Sequence, residues 1–268
     1  QEGSWAYFCV SDSNAQRDFV DGAVARIDHA DPVTDRDLER LEAIKRRRQE
    51  RAAAYFRKNA ASWDQIRSLH VPDAAIEAEL KRAIGEKPFQ SMVDLGTGTG
   101  RLLELFSRLY RRGVGVDLSR EMLAVARANL ERAGVSNAQV RLGDVYAPPV
   151  ERDVHDLVTI HQVLHYLEDP AAAIREAARL LRPGGRLVIV DFAPHAHEFL
   201  REEHAHLRLG FSDRQITEWL GEAWLALEEK HAFAPEGEAA EGLTVKLWLA
   251  RDRRKAPVAN EFTRKEIA

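Results

Sequence analysis

Nine consecutive residues, Met92 Val93 Asp94 Leu95 Gly96 Thr97 Gly98 Thr99 Gly100, constrain this chain more than any other stretch. An apolar run enters an acid, and glycine then falls at every second position. The pattern predicts a buried strand that ends in a tight loop. Glycine has no Cβ and tolerates positive φ, so the loop backbone can lie against a ligand where a side chain would collide, its N–H groups facing outward. A helix is expected to follow from Arg101 to about Arg111. Strand, glycine loop and helix in that order make the first unit of a parallel α/β sheet, with the ligand beyond the strand's carboxyl end.

Dinucleotide-binding loops usually read G-x-G-x-x-G, whereas this one reads G-x-G-x-G behind Asp94. A carboxylate there repels a pyrophosphate and suits a cationic amino-acid moiety. Two further acids stand at expected strand ends. Val114 Gly115 Val116 Asp117 puts a carboxylate about 20 residues beyond the loop, where an acid takes ribose hydroxyls. Leu142 Gly143 Asp144 Val145 closes a third strand with a group able to accept from an adenine amine.

With these three acids the segment from about 71 to 251 resembles the class I S-adenosylmethionine (SAM) dependent methyltransferases. The resemblance implies an α/β, Rossmann-like seven-stranded sheet and SAM as the methyl donor, with S-adenosylhomocysteine as product. It maps Gly96, Thr97, Gly98 and Gly100 onto the family's loop, with Asp94 before it. Asp117 falls on the family's ribose acid and Asp144 with Val145 on its adenine contact, with Leu118, Met122 and Gly143 as further cofactor-binding residues. His161 is expected beside the methionine part. Tyr55 and Trp63, in an aromatic segment ahead of the domain, are expected to fold over the site as a lid, with plain helix packing as the equal alternative.

The rest of the domain reads in alternation. Helices are expected over 73–84, 121–132 and from Pro170 to the Arg182 Pro183 Gly184 Gly185 break. Strands are expected over 156–160 and 186–191, with a helix over 213–223. The runs 225–233 and 243–250 leave no room for a crossover helix, so they predict an antiparallel pair. Residues beyond the fourth and fifth strands face the pocket, and there His165 or His195 could serve as base, against the alternative that His165 merely packs. The cluster His197, Glu198, Glu202, Glu203, His204 and His206 lacks a metal-binding motif, so no metal is expected.

The first seventy residues carry a second resemblance. Residues 2–8 look like the second wing strand of an ArsR-type winged helix-turn-helix, and 14–29 like its dimerisation helix. A linker helix from Thr34 or Asp35 to about Asn59 and the lid complete 33–70. That order is the layout of ArsR-type regulators fused to a methyltransferase, making 1–32 a winged-helix remnant and 252–268 a flexible tail. The resemblance implies a homodimer that meets DNA only through a region upstream of Gln1. Its methyl acceptor would be a small molecule. Alternatively the domain senses SAM or S-adenosylhomocysteine without turnover.

Composition sets broad limits. A net charge of −4 with 31% charged residues gives no global pull toward nucleic acid or anionic membrane, and the single Cys9 suits a reducing, cytoplasmic setting. No apolar run reaches the roughly 18 residues of a membrane span.

Overall fold

The computed structural model describes residues 14–26, 31–63, 73–234 and 242–254. The wing-like strand at 2–8 and most of the proposed tail lie outside them. The chain divides into two compact units, residues 1–49 and 50–268. The described part of the first comprises α1 (Asn14–Val24) and most of the first two-thirds of α2 (Pro32–Asn59). Phe19, Val24, Leu38, Leu41 and Ile44 are all exposed there. Lys45, which opens the run Lys45 Arg46 Arg47 Arg48, pairs with Glu42 at 2.8 Å on the helix surface.

The second unit holds a seven-stranded sheet in the order β3-β2-β1-β4-β5-β7-β6. Its strands are β1 (Phe89–Leu95), β2 (Tyr110–Asp117), β3 (Ala138–Leu142), β4 (His155–His161), β5 (Leu181–Phe192), β6 (Leu225–Phe233) and β7 (Val245–Asp252). The first five are parallel, and β7 runs antiparallel to both β5 and β6. The expected Rossmann-like α/β fold with an antiparallel final pair is therefore what forms. Strand order reverses between β1 and β4, the place where open sheets of this kind leave a crevice.

Alternation along the strands loads both faces of the sheet. Val93, Leu95, Val158, Ile160 and Ile189 pack on one side with Ile174 of α6 (Pro170–Leu180) and Ile216 of α8 (Asp213–Glu222). Met92, Leu157, Val188 and Leu247 pack on the other with Leu80 of α3 (Asp73–Ile84) and Phe106, just past α4 (Arg101–Leu105). Burial on both faces is why these strands read as continuous apolar runs.

Helix α1 ends at Val24, short of the expected 29, and in the sheet-bearing unit two boundaries differ from expectation by five or six residues. Helix α4 ends at Leu105, not near Arg111, because Tyr110 already pairs with Phe89 in β2 and its hydroxyl donates to the Leu103 carbonyl at 2.6 Å. Strand β5 starts at Leu181, not Arg186. Leu181 pairs with His155, and the register then slips so that Arg186 meets Leu157, which absorbs the Pro183 Gly184 kink into the strand.

Helix α5 (Arg120–Arg132) has the expected start, the Ser119 hydroxyl accepting from the Met122 N–H at 3.2 Å, and α8 opens with a full capping box between Ser212 and Gln215. Asp213, in the first turn of α8, ties that helix to the antiparallel pair. It accepts from Lys230 Nζ at 2.8 Å, Lys246 Nζ at 2.9 Å and Trp248 Nε1 at 3.0 Å. Those donors, Lys230 first, hold its carboxyl down to about 2. A depressed carboxyl contributes stability above its unfolded value and loses it as pH falls through the folded one. Asp213→Asn is therefore expected to lower stability at pH 7 by about 1–2 kcal/mol, with the gap to wild type closing between about pH 4 and pH 2. Thermal unfolding followed by circular dichroism across that range checks it; a gap that does not narrow would contradict it.

Candidate functional site

The loop at 96–100 leaves β1 at the switch point, and its amides are spent inward. The N–H groups of Gly96 and Thr97 both donate to the Val116 carbonyl, at 2.8 and 3.0 Å. The Gly98 N–H donates to Asp117 Oδ2 at 2.9 Å, and the Gly100 N–H to the Thr97 carbonyl at 2.9 Å. The expectation that these amides face a ligand is thus corrected. Consecutive turns fold them back onto β2, and what the glycines supply is clearance.

Gly96 shows why that clearance matters. At φ +71° it sits where a Cβ would come within 2.3 Å of Val163 Cγ2, so the segment after β4 closes directly on the loop. Gly115 in β2 is a site residue that its strand pattern does not advertise. A Cβ there would lie 2.6 Å from Thr97 Oγ1.

Asp94 is placed differently from expectation. It is 2% exposed, accepting from Thr97 Oγ1 at 2.7 Å and from Thr159 Oγ1 of β4 at 2.6 Å. Both carboxylate oxygens are engaged within the protein, and they fasten the loop to the neighbouring strand. Met122 is likewise 2% exposed and packs inside α5, away from solvent.

The remaining cofactor-side residues cluster at the ends of β2 and β3. Asp117 Oδ1 accepts from the Ser119 N–H at 2.8 Å. Burial pushes its carboxyl up, opposed by the N–H groups of Ser119, Gly98 and Leu118. Beside it Leu118 is exposed, an apolar side chain held out over the loop's flank. Asp144 stands beyond the end of β3, bridges to Ala147 and accepts from the Tyr146 N–H at 3.0 Å through Oδ1. Gly143 is confined, since a Cβ would meet Pro149 Cδ at 2.4 Å, and Val145 is buried.

Residues from the end of α2 reach this site. Trp63 Nε1 lies 3.6 Å from the Cβ position of Gly98, so the indole lies against the loop. The Tyr55 hydroxyl meets His204 Nδ1 at 2.8 Å, and the Arg51 guanidinium donates to the Glu202 carbonyl. Phe56 packs between Trp63 and Tyr166, with ring centroids 5.3 and 4.8 Å away.

The histidines separate into distinct environments. His161 ends β4, and the next residue, Gln162, takes φ +54°, a conformation that costs a non-glycine residue about 1–3 kcal/mol and concentrates at functional sites. His165 is buried, its Nδ1 2.8 Å from Oδ1 of the fully buried Asp191. Its ring packs on Tyr166 at 4.0 Å and His206 at 4.2 Å. His195 lies apart from this pair. Its Nδ1 accepts from the His197 N–H at 3.3 Å, and its ring meets Phe192 at 6.1 Å. Among the described residues no group of three or more His, Cys, Asp or Glu side chains could hold a metal, and no helix is long and apolar enough to cross a membrane.

Asp191, Phe56 and His206 join the site without having been picked out for it. Asp191 alone left a signal, an acid ending an apolar strand, like Asp94 and Asp117.

Residues 93–189 match the family model described as a methyltransferase domain. YcgJ, described as an uncharacterised methyltransferase of Bacillus subtilis, is 34% identical over 104 residues, which is 38% of this chain and 41% of YcgJ. Its crystal structure aligns with a TM-score of 0.57 at 20% identity, over 67% of this chain and 98% of that one. The ubiquinone/menaquinone biosynthesis C-methyltransferase UbiE of Vibrio vulnificus is 32% identical over 151 residues, 53% of this chain and 57% of UbiE. A Haemonchus contortus phosphoethanolamine N-methyltransferase in complex with S-adenosylhomocysteine aligns with a TM-score of 0.58 at 18% identity, covering 69% of this chain and 54% of that one. This chain thus spans about half the length, or less, of these two curated sequence relatives. The sheet-bearing unit has the class I fold of these solved structures, and residues 93–189 within it match the methyltransferase domain model.

Gly96→Ala combines an unfavourable φ with overpacking against Val163. It is expected to destabilise the fold by about 2–4 kcal/mol, read as a melting-temperature fall of roughly 5–10 °C. An unchanged melting temperature would show that the loop and residue 163 are not in contact.

Proposed function

We propose that this domain binds SAM at the 96–100 loop and transfers its methyl group to a small-molecule acceptor. One observation carries the reading: the loop's amides are spent within the protein, and carboxylates stand at the neighbouring strand ends. A pyrophosphate needs outward N–H groups, and four of the loop's amides are already used within the protein. An adenosyl sulfonium compound presents the reverse set, an ammonium and two ribose hydroxyls that donate. Asp117 at the end of β2 and Asp144 beyond β3 are placed to receive the ribose and the adenine amine, with Leu118 and Val145 as apolar surfaces for the base. Trp63 over Gly98 and Tyr55 tied to His204 form the cover. Asp94 acts from beneath, through Thr97.

The sulfonium methyl is itself a strong electrophile, so the protein's task is alignment, water exclusion and, for weakly acidic acceptors, proton removal. His161, at the end of β4, is the residue we assign to the methionine part, and His165 and His195 are the candidate bases. The match of residues 93–189 to the methyltransferase domain model and the names of YcgJ and UbiE support the reaction class.

Calorimetry tests the reading. S-adenosylhomocysteine should bind the wild-type chain while NADH does not. Asp117→Ala should weaken binding at least tenfold, and Gly98→Arg should abolish it. Binding of NADH in place of the adenosyl compound would overturn the assignment.

The finer reading places this domain in an ArsR-type regulator, as a cytoplasmic homodimer. It is supported by the amphipathic α1, whose Phe19 is 77% exposed and Val24 51% exposed, an apolar face of the kind a dimerisation helix presents. In that setting the domain either turns over or reports methyl-donor status to the DNA-binding part. Release of S-adenosylhomocysteine above the Gly98→Arg background separates the two. If α1 is the dimer contact, Phe19→Glu converts a dimer to a monomer in sedimentation experiments; a monomeric wild type would refute it.

A further inference from the structure

We infer that the buried His165 and Asp191 pair is the proton acceptor of this site, and that the acceptor molecule it serves is a weakly acidic hydroxyl on a neutral aromatic ring. The inference rests on the methyl-transfer reading above and names the substrate class it leaves open.

The pair has the geometry of an oriented base. Asp191 Oδ1 receives His165 Nδ1 at 2.8 Å, and the backbone N–H groups of Phe192 and His165 reach Asp191 Oδ1 and Oδ2 at 2.8 and 3.4 Å. Asp191 is fully buried at the end of β5, and His165 follows β4 in a 3-10 turn over 164–166. A carboxylate bound to Nδ1–H orients the ring and leaves Nε2 as the imidazole's proton-accepting nitrogen. A histidine that merely filled the core would not need a buried carboxylate, whose desolvation is costly.

The side chains around the pair point to the substrate class. From the glycine loop outward, Trp63, Phe56, Tyr166, His165, His206 and Phe192 form an unbroken series of ring contacts at centroid distances of 4.0–5.7 Å. Rings of this kind bind a planar ring by stacking and edge contacts. The nearby arginines are occupied. Arg51 donates to the Glu202 carbonyl, Arg208 to the carbonyls of Leu167 and Glu168, and Arg201 pairs with Glu198 and donates to the Leu207 carbonyl. A phosphate or carboxylate acceptor pairs best with a free guanidinium fork. A neutral ring bearing a hydroxyl needs none.

The transfer balances without any other reactant. As the ring hydroxyl oxygen bonds to the sulfonium methyl carbon, the carbon–sulfur bond breaks and its electron pair stays on sulfur. The hydroxyl proton passes to His165 Nε2 and is then lost to water. The products are the methyl ether, S-adenosylhomocysteine and one proton.

Calorimetry with S-adenosylhomocysteine on the wild type, His165→Gln and Asp191→Asn comes first. All three should bind within about twofold, and a wild type that does not bind defeats the methyl-transfer reading itself. With binding in place, S-adenosylhomocysteine release is measured with SAM and, in turn, catechol, 1-naphthol, benzylamine, benzoate and phosphoethanolamine. Turnover should favour the two phenols. His165→Gln should lower kcat at least 100-fold with KM changed less than threefold, and Asp191→Asn should lower kcat at least tenfold. Long-range nitrogen NMR of the wild type should show neutral His165 protonated on Nδ1, a signature that a packing role does not require. Preference for benzylamine, benzoate or phosphoethanolamine, no turnover of either phenol, an undiminished kcat in His165→Gln, or an Nε2-protonated His165 would each overturn the inference.

Discussion

The carboxylate of Asp94 is the constraint on which the site depends. Burying a charge is costly unless its lone pairs are met, and here two threonine hydroxyls meet them from different elements, Thr97 in the loop and Thr159 in β4. The same loop sends two amides to the Val116 carbonyl of β2. Three adjacent strands therefore hold one turn of backbone, and none can shift without stranding a buried polar group. The loop's shape is settled before any ligand arrives, which is what preorganisation requires.

That arrangement explains the glycines more fully than ligand approach alone. Gly115 exists because Thr97 occupies the volume its Cβ would take, and Gly96 because Val163 does. Both serve packing between protein segments, and both are as intolerant of substitution as a ligand contact. A glycine-rich loop of this type is an interlocked corner of the sheet, with the ligand surface as its outer side.

Much of this was legible in the chain because it is local. Strand, loop, helix and the acids at strand ends occupy contiguous residues, so periodicity and turn chemistry report them, as the caps at Ser119 and Ser212 do. What was not legible depends on partners distant in sequence. The inward turn of Asp94 is decided by Thr159, 65 residues on, and the meeting of Tyr55 with His204 spans 149. Asp191 looked like one more strand end, and only the fold brings it to His165. The early end of α4 was hidden for the same reason: Arg111 and Arg112 suit a helix surface, but pairing of Tyr110 with Phe89 commits them to a strand.

On the methyl-transfer reading proposed above, Asp117 both holds the loop and receives the ribose, and its chemistry allows the two together. Each carboxylate oxygen can accept more than one hydrogen bond. Oδ2 takes the Gly98 N–H and Oδ1 the Ser119 N–H, so each oxygen retains capacity for a ribose hydroxyl. Ligand binding then adds donors to a carboxylate already fixed in place. Burial alone pushes that carboxyl up, and every further donor favours its ionised form. Ribose binding and ionisation of Asp117 therefore reinforce one another, and the loop that positions the carboxylate gains rigidity from the ligand it helps to hold.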